Sequence, residues 1–442
     1  MKYKVITFGC QMNKNDSERL ESILEYLNFK KTRKTEEANL VILNSCSVRE
    51  SAENRIYGFV SNLSKRKKID NNLIIGVCGC LPGRDKDKKI YEKNLKEKGV
   101  ELYFSNQEMI KLPEMLHNLN SKIEKKELPK DYFKIEAKAE TNYKAFVPVQ
   151  HGCNQFCTYC VVPYSRGLEI NRKLIDILNE INCFDQRNFK EITLLGEIIN
   201  HYVAPDPENF SAENPYKKND FAKLLWEINK QTKNIERINY TAPHPLYMDA
   251  EVIDALTLPK QINYLHIPVQ AGSDNMLKKM NRKHDRQFFI DIIKKIREKK
   301  PNIAIGTDMI VGFCGETAED FAETIDLYKK CDFDICYTAK YSDRSGTLAN
   351  KNFSDDVSIE EKKRRWFEIQ HLMEKITYQK NQKFVGETVS VLVDKFENGN
   401  CYGNSNELKL VEFPSEHDLT GKIIKVKINK AETWILYGNI VL

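Results

Sequence analysis

The sequence predicts an α/β protein in three parts: an N-terminal flavodoxin-like open parallel sheet, a central partial (βα)6 TIM-type barrel and a small C-terminal β-barrel. Three observations lead to this fold class. In the first part, short apolar runs alternate with amphipathic helical spacing. From residue 144 onward, six more strand–helix units follow one another. After a long charged helix, short β runs with Gly and Asn turns complete the chain.

Each part has its own predicted elements. In the first, helices are predicted at 16–27 and 52–63, between strands at 5–8, 40–44, 73–77 and 102–104. In the second, strands are predicted at 146–150, 191–195, 237–241, 264–269, 303–311 and 333–341. The third follows a helix at 358–382 and contains strands at 388–393, 409–411, 422–428 and 435–442. We therefore expect domains at 1–120, 144–378 and 379–442, joined by a Lys- and Glu-rich linker at 121–143.

Composition restricts the class of protein. With 442 residues, of which 41% are hydrophobic and 30% charged, the chain is typical of globular proteins rather than disordered or fibrous ones. No apolar run approaches the ~20 residues that a membrane helix needs, so we expect no membrane partner and a cytosolic location. Cytosolic thiols stay reduced, so clustered members of the twelve cysteines indicate metal or redox chemistry. The net charge of +6 permits a nucleic-acid partner without requiring one.

Three cysteines, Cys153, Cys157 and Cys160, follow the first barrel strand with the spacing C-x3-C-x2-C. Three thiolates from one short loop can bind three irons of a 4Fe–4S cubane and leave the fourth iron open. S-adenosylmethionine can chelate that iron, and one electron then splits its C–S bond. Tyr159 is a candidate to pack its ring against the adenine of this cofactor. The alternative is a zinc site that includes His151, although zinc favours paired cysteines.

A second triplet, Cys10, Cys46 and Cys80, is spread over the first part of the chain. Each cysteine stands at the C-terminal end of a successive predicted strand. Those ends share one edge of a parallel sheet, so three thiolates can converge there and hold a second cubane with one open iron. The alternative is that a cysteine is simply a small buried apolar residue, and this is how we interpret Cys78. Three cysteines at equivalent strand ends favour the cluster.

Three stretches resemble the methylthiotransferase family of radical S-adenosylmethionine enzymes, and the resemblance extends over essentially the whole chain. They are T-F-G-C-Q-M-N-K-N-D-S at 7–17, L-N-S-C-S-V-R-E at 43–50 and G-C-N-Q-F-C-T-Y-C-V-V-P-Y at 152–164. The resemblance implies two 4Fe–4S clusters, S-adenosylmethionine, an electron donor and a sulfur or cluster-assembly donor. It further implies a TRAM domain, an RNA-binding barrel, and methylthiolation at C2 of the isopentenylated adenosine 3′ to the anticodon of tRNA.

Two other branches of the family remain open. One modifies threonylcarbamoyl-adenosine in tRNA and the other modifies an aspartate of a ribosomal protein. The tripeptide Q-M-N after Cys10 favours the branch that acts on N(6)-dimethylallyladenosine. A rival of a different class is a non-catalytic Fe–S or zinc protein that only binds RNA.

The resemblance also implies cofactor-binding residues at barrel strand ends. These candidates for contacts to S-adenosylmethionine are Glu197, Gln270, Thr307 and Asp308. Polar groups at such positions equally often satisfy backbone groups. Glu197 also departs from the family, which usually has Gln there. Arg166 and Arg172 flank the first cysteine loop, where they can contact a carboxylate or phosphate or form an ion pair near a helix.

A candidate RNA-binding patch lies near the C-terminus, and its residues are Lys422, Lys425, Lys427 and Lys430. From residue 380 onward lysines and acidic residues balance each other, so RNA binding depends on this local patch. Tyr402 or Trp434 is available for stacking on bases. The alternative is an ordinary solvated strand face.

Overall fold

The computed structural model describes residues 1–47, 50–85 and 89–441. Its contacts group the chain into two compact units, each described by itself. Unit 1 is Met1–Glu140, Gln150–Arg172 and Arg344–Lys351, and unit 2 is Thr141–Val149, Lys173–Asp343 and Asn352–Leu442. The domain boundaries expected from the sequence stay a prediction. Within the described ranges, no helix has both the length and the hydropathy that a membrane span requires.

The strands and helices are numbered in chain order. The strands are β1 (Lys2–Thr7), β2 (Lys30–Lys31), β3 (Leu40–Ser45), β4 (Ile74–Gly79), β5 (Leu102–Phe104), β6 (Lys144–Pro148), β7 (Gln150–His151), β8 (Ile170–Asn171), β9 (Glu191–Leu195), β10 (Arg237–Tyr240), β11 (Tyr264–His266), β12 (Ala304–Val311), β13 (Ile335–Lys340), β14 (Thr388–Glu397), β15 (Asn400–Asn404), β16 (Leu410–Pro414), β17 (Ile423–Ala431) and β18 (Leu436–Ile440). The helices are α1 (Gln11–Tyr26), α2 (Glu50–Lys67), α3 (Cys80–Arg84), α4 (Ile90–Lys96), α5 (Leu112–Leu119), α6 (Val162–Arg166), α7 (Leu174–Gln186), α8 (Asp220–Gln231), α9 (Ala250–Ala255), α10 (Asp274–Lys279), α11 (Arg286–Lys299), α12 (Ala318–Cys331), α13 (Leu348–Asn352) and α14 (Ile359–Gln382).

A five-stranded parallel sheet forms the centre of unit 1. Its order, β2-β1-β3-β4-β5, is that of flavodoxin-like folds and confirms the predicted class. Every residue of β3 is buried, because apolar layers cover both faces of the sheet. Leu40 and Ile42 pack into one layer, whereas Val41 and Leu43 pack into the other. The first layer also includes side chains from residues 121–143, the stretch predicted as a linker.

Six parallel strands form the barrel of unit 2. They pair as two three-stranded sheets, β10-β9-β6 and β11-β12-β13, and a bridge between Ile238 and Gln261 continues the pairing beyond β10. Helices α7 to α12 lie between successive strands. This arrangement confirms the predicted partial barrel, and β9 begins and ends at the predicted residues.

A closed five-stranded barrel, in the order β14-β15-β16-β18-β17, completes unit 2. It follows α14, which begins after Ser358, whose Oγ accepts a hydrogen bond from the N–H of Glu361 at 3.1 Å. The small barrel packs against the start of β10, where the Arg237 guanidinium donates to the carbonyls of Asn404 and Ser405 at 2.8 and 2.9 Å. The last predicted strand is confirmed as β18, and its final predicted position, 442, lies outside the described residues.

Candidate functional site

Cys10, Cys46 and Cys80 lie at the carboxyl edge of the unit 1 sheet. Cys10 precedes α1, Cys46 follows β3 and Cys80 is the first residue of α3. The backbone beside Cys10 approaches Cys46 closely, since a Cβ atom built on Gly9 would lie 2.9 Å from the Cβ of Cys46. The structure therefore brings the three cysteines to one place, as expected for the ends of parallel strands.

The side chain of Asn13 connects the members of this triplet. Its Oδ1 accepts hydrogen bonds from the backbone N–H and the thiol of Cys10, both at 3.3 Å. Its Nδ2 donates to Asn44 Oδ1 and the Ser45 carbonyl at 3.2 Å and lies 3.8 Å from Cys80 Sγ. A buried amide that uses both its oxygen and its nitrogen is held in one orientation. Sequence reasoning assigned Asn13 no such role, although a polar residue three positions after a helix cap is a recognisable signal.

The environment of the triplet is mostly buried. Cys46 and Cys80 are 3% and 4% exposed, whereas Cys10 keeps an exposed surface. Desolvation of the sulfur by the surrounding protein raises the pKa of the Cys10 thiol, and the positive charge of the Arg166 guanidinium partly offsets that rise. Burial raises the pKa of Cys78 well above its usual value. Cys78 packs in an apolar layer under the sheet, in agreement with its interpretation as a packing residue.

The loop that carries Cys153 also belongs to unit 1 and depends on a glycine. Gly152 has φ +79°, and a Cβ atom there would lie 2.1 Å from the carbonyl oxygen of Leu168. Only glycine fits this close approach without a shift of the backbone. The next residue, Cys153, donates its N–H to the Gly167 carbonyl at 3.1 Å. Its sulfur accepts the N–H of Gln155 at 3.4 Å.

Cys157 and Cys160 stand on a tight turn in the same loop. The N–H of Cys160 donates to the carbonyl of Cys157 at 2.9 Å, and the Thr158 carbonyl accepts the N–H of Ala349 at 2.7 Å. Both cysteines are partly exposed, as is Tyr159 between them. Partly exposed cysteines on a fixed turn are suited to a cluster that a small cofactor must reach. The contact of Tyr159 with adenine stays a prediction.

Both donor sets consist of three thiols, the usual ligands of iron–sulfur clusters. Within 1–47, 50–85 and 89–441, no group of three His, Cys, Asp or Glu side chains is arranged to hold one ion. The imidazole of His151, the ligand of the zinc alternative, packs near the rings of Tyr132 and Phe133 at 5.8 and 6.4 Å. A cubane binds its thiolates through different irons, so its ligands stand farther apart than those of one ion. Two sets of three thiols are therefore suited to two 4Fe–4S clusters.

Two parts of unit 1 that carry cysteines pack against each other: the loop with Cys153, Cys157 and Cys160 and the segments with Cys10 and Cys80 that begin α1 and α3. We call these parts the two cysteine loops. Helix α3 begins at Cys80, and a Cβ atom built on Gly83 would lie 2.0 Å from the carbonyl oxygen of Ser165 in α6. Next to this contact, Arg166 forms a buried ion pair with Asp16 at 2.7 Å. Of the two roles considered for Arg166, the ion pair is the one observed. The guanidinium of Arg172 lies 5.9 Å from the centre of the Phe133 ring.

Two of the predicted cofactor-binding residues are neighbours on β12 in unit 2. Adjacent residues on a strand point to opposite faces, so Thr307 and Asp308 cannot line the same surface. Thr307 is fully buried, and its hydroxyl donates to the Ile267 carbonyl at 2.8 Å and accepts the N–H of Val269 at 3.1 Å. Asp308 Oδ2 lies 3.2 Å from Nε2 of His266, and its side chain is 38% exposed. Asp308 is thus available to a ligand, and His266 is a neighbour that sequence reasoning missed.

The other two candidates in unit 2 also lie at strand ends. Gln270 has φ +77°, and its backbone exchanges 2.9 Å hydrogen bonds with Asp308 and Ile310 of β12. Glu197 follows the end of β9 by two residues and is partly buried. The contacts of these two side chains with a cofactor stay predictions.

The lysine patch of the small barrel lies mainly on β17. Lys425 and Lys427 are exposed and alternate with the buried residues Val426 and Ile428. Lys422 is exposed just before the strand, and Lys430 pairs with a glutamate at 2.6 Å. Three exposed lysines beside and along β17 thus form the candidate RNA-binding face.

Solved structures with a similar fold include a radical S-adenosylmethionine enzyme. The methyltransferase TsrM from Kitasatospora setae, with tryptophan substrate and a S-adenosylmethionine analogue bound, superimposes with a TM-score of 0.54 at 12% identity. The match covers 76% of this chain and 72% of that one. A second structure of TsrM, with cobalamin and a [4Fe-4S] cluster bound, gives a TM-score of 0.53 at 12% identity over 77% and 72%. At this level of identity the likeness shows the fold alone.

Sequence comparisons identify the parts of the chain and the family. Residues 2–101 match the Uncharacterized protein family UPF0004, 147–328 the Radical SAM superfamily and 382–441 the TRAM domain. The tRNA-2-methylthio-N(6)-dimethylallyladenosine synthase of Thermoanaerobacter sp. (strain X514) is 40% identical over 99% of this chain and 92% of its own length. The synthases of Acetivibrio thermocellus (39%, over 99% and 91%) and Clostridium perfringens strain SM101 (36%, over 99% and 97%) are similar throughout. The chain belongs to the family of tRNA-2-methylthio-N(6)-dimethylallyladenosine synthases.

Proposed function

We propose that this chain is a tRNA methylthiotransferase that acts at C2 of N(6)-dimethylallyladenosine next to the anticodon. The observation that carries the proposal is the presence of two cysteine triplets in one compact unit, in a chain of this family. A radical enzyme with one triplet could break a C–H bond, but it would need another source of sulfur. The second triplet supports that source within the same molecule.

The two triplets divide the work. Cys153, Cys157 and Cys160 hold the 4Fe–4S cluster that binds S-adenosylmethionine, and the second triplet, Cys10, Cys46 and Cys80, holds the other cluster. With these groups bound and an electron donor present, one S-adenosylmethionine would supply a 5′-deoxyadenosyl radical for the unreactive C2–H, the second cluster would supply sulfur, and a further S-adenosylmethionine would supply the methyl group.

Residues around the cysteines prepare these two sites. The N–H of Gln155 donates to the sulfur of Cys153 and so helps to orient this sulfur as a ligand. Asn13 holds the backbone of Cys10 and lies beside the sulfur of Cys80. Hydrogen bonds of this kind orient ligands and adjust the properties of a bound cluster.

The candidates for contacts to S-adenosylmethionine are the residues that the family resemblance implies. Asp308 presents a partly exposed carboxylate, and a carboxylate accepts hydrogen bonds from ribose hydroxyls or from an ammonium group. Glu197 accepts from the ammonium group, and Gln270 contributes through its side-chain amide. Thr307 acts indirectly, since its hydroxyl holds the backbone that follows β11.

The substrate is a tRNA that carries isopentenylated adenosine, and the exposed lysines of β17 contact its phosphates. Changing Lys425 and Lys427 together to Gln should weaken tRNA binding. It should also reduce the slope of log affinity against log salt concentration by roughly one unit per lost phosphate contact. Lys395→Gln, at an exposed lysine that already pairs with Glu397 at 2.6 Å, is the matched control and should change neither. If Lys395→Gln weakens tRNA binding as much as the double change of Lys425 and Lys427, the result would argue against phosphate binding by the patch. An electron donor and a sulfur or cluster-assembly donor complete the system in the cytoplasm.

The decisive experiment measures two products with cysteine variants. Replacing Cys10, Cys46 or Cys80 by Ala should stop methylthio formation while 5′-deoxyadenosine is still released from S-adenosylmethionine. Cys153→Ala should stop both, and Cys183→Ala, at an exposed cysteine outside both triplets, should stop neither. Loss of cleavage in every triplet variant would refute the division of labour.

Nucleoside analysis of tRNA tests the substrate. A strain that lacks the gene should contain N(6)-dimethylallyladenosine without its 2-methylthio form. An unchanged level of 2-methylthio-N(6)-dimethylallyladenosine would refute the proposal. Loss of the methylthio form of threonylcarbamoyl-adenosine, or of a ribosomal-protein aspartate, would select one of the other branches. A protein that only binds RNA would release no 5′-deoxyadenosine.

A further inference from the structure

A buried polar network centred on Asp16 connects the two cysteine loops of unit 1. Asp16 lies on α1, six residues after Cys10, and Arg166 ends α6, six residues after Cys160. Arg166 Nη2 lies 2.7 Å from Asp16 Oδ2, and the two side chains are 3% and 0% exposed. The partners are 150 positions apart in the chain, so the pair forms only when the two loops are docked.

Further donors hold the carboxylate of Asp16 in place. Asn106 Nδ2 donates to Oδ2 at 2.8 Å, and the hydroxyl of Tyr132 donates to Oδ1. Burial and the charge of Asp16 raise the pKa of Tyr132 well above its usual value, so its hydroxyl stays protonated and remains a donor. A buried carboxylate that accepts from three groups in fixed directions permits one arrangement of those groups.

Short connections link this network to the cysteines. On one side, α1 is a continuous helix that begins directly after Cys10. On the other, Gly167 follows Arg166 and accepts the N–H of Cys153 with its carbonyl at 3.1 Å. The carbonyl of Arg166 itself accepts from Gln107 Nε2 at 3.2 Å. A shift of the ion pair would therefore be transmitted to one cysteine of each triplet.

We propose that Asp16 and Arg166 form a positioning pair that fixes the second cysteine triplet relative to the first. The inference rests on the proposed function, because alignment of two sites matters only if both take part in one reaction. Cleavage of S-adenosylmethionine needs the first site alone, whereas methylthio transfer needs both sites in register. Weakening the pair should thus lower the yield of methylthio product per 5′-deoxyadenosine and leave cleavage in place.

The test compares two variants of the network with a matched control. Asp16→Asn removes the charge with little change of shape, and Tyr132→Phe removes a single hydrogen bond. Glu316→Gln breaks a similar buried ion pair, Glu316–Arg365 at 2.6 Å, within unit 2. Asp16→Asn should lower product per 5′-deoxyadenosine by about 10- to 100-fold, the scale expected for a misplacement of about 1 Å. Tyr132→Phe should lower it less, and Glu316→Gln should leave the ratio unchanged.

A second readout needs no tRNA. With both clusters loaded and reduced, the electron paramagnetic resonance spectrum of the wild type should show magnetic interaction between two clusters, altered in Asp16→Asn and unchanged in Glu316→Gln. An unaltered ratio and spectrum in folded, fully loaded Asp16→Asn would overturn the inference. If that variant does not fold, Tyr132→Phe decides by the same criteria. A wild type that forms no methylthio product refutes the proposed function, while the spectra still test the pair.

Discussion

Gly83→Ala tests the packing between the two cysteine loops with one added methyl group. Gly83 is buried in α3, three residues after Cys80, and its new Cβ would lie 2.0 Å from the Ser165 carbonyl oxygen. Non-bonded heavy atoms settle at about 3.5 Å, so α3 and α6 must separate by roughly 1.5 Å. The matched control is Gly58→Ala in α2, where an added Cβ meets nothing within 4 Å.

The two substitutions should have opposite effects on stability. Overpacking of this kind costs about 1–3 kcal/mol, and each kcal/mol lowers the Tm by about 2–4 °C in a folding unit of this size. Gly58→Ala gains about 0.5–1 kcal/mol from the higher helix propensity of alanine and should raise the Tm slightly. A misplacement of about 1 Å can cost about 100-fold in rate, so the larger separation of the loops in Gly83→Ala should reduce methylthio transfer by about 100-fold, whereas Gly58→Ala should leave transfer unchanged.

Two measurements check this prediction. Thermal unfolding of the metal-free protein gives the change in stability. After cluster reconstitution, methylthio product per 5′-deoxyadenosine gives the effect on transfer, independent of how much enzyme is active. If Gly83→Ala matches Gly58→Ala in both measurements, the close contact with Ser165 does not control the arrangement of the loops, and the reasoning is wrong.

Three further predictions follow from other parts of the structure. Gly152→Ala should prevent assembly of the first cluster, so reconstituted protein should bind about four rather than about eight irons and release no 5′-deoxyadenosine. Arg237→Ala should leave the buried carboxylate of Glu191 without its 2.9 Å ion pair and remove a donor to Ser405, costing about 3–5 kcal/mol in chemical denaturation. Burial raises the pKa of Glu18 from 4.5 to about 7, so its folded state favours the protonated form. The contribution of this group to the free energy of unfolding should therefore be largest below about pH 4.5 and fall by about 3 kcal/mol as the pH rises through 7. Denaturation curves at pH 5 and pH 8 should show this fall in the wild type and lack it in Glu18→Gln.

Much of the fold could be predicted because its signals are local. Buried parallel strands appear as continuous apolar runs, and α14 is marked by a serine cap at its start. The strands that were missed lack those signals. Strand β2 consists of two lysines, and β15 has the sequence N-C-Y-G-N, which contains no β-branched residue. Both are held by their neighbours in the sheet rather than by their own propensity.

The candidate site also has features that the sequence predicts and one that it does not. Cysteine spacing and strand ends indicated six positions, and the structure places three of them on one loop and three at the ends of neighbouring strands in unit 1. The alternation of side chains along a strand is enough to place Thr307 and Asp308 on opposite faces, so their separation is predictable from sequence. No local pattern, however, predicts that Asp16 meets Arg166, because the contact depends on how two distant segments dock. The structure supplied that pairing, and with it a physical link between two chemically similar sites.

The contact between the loops combines two interactions with different consequences. Close approach of Gly83 to Ser165 limits the distance between α3 and α6, but apolar or backbone packing alone permits sliding and rotation. A buried ion pair adds little net stability over well-packed apolar residues of the same volume. The pair of Asp16 and Arg166 fixes the orientation of α1 relative to α6, since its donors and acceptors match in a single geometry. Transfer between two sites requires a defined distance and a defined orientation, and the two contacts together provide both.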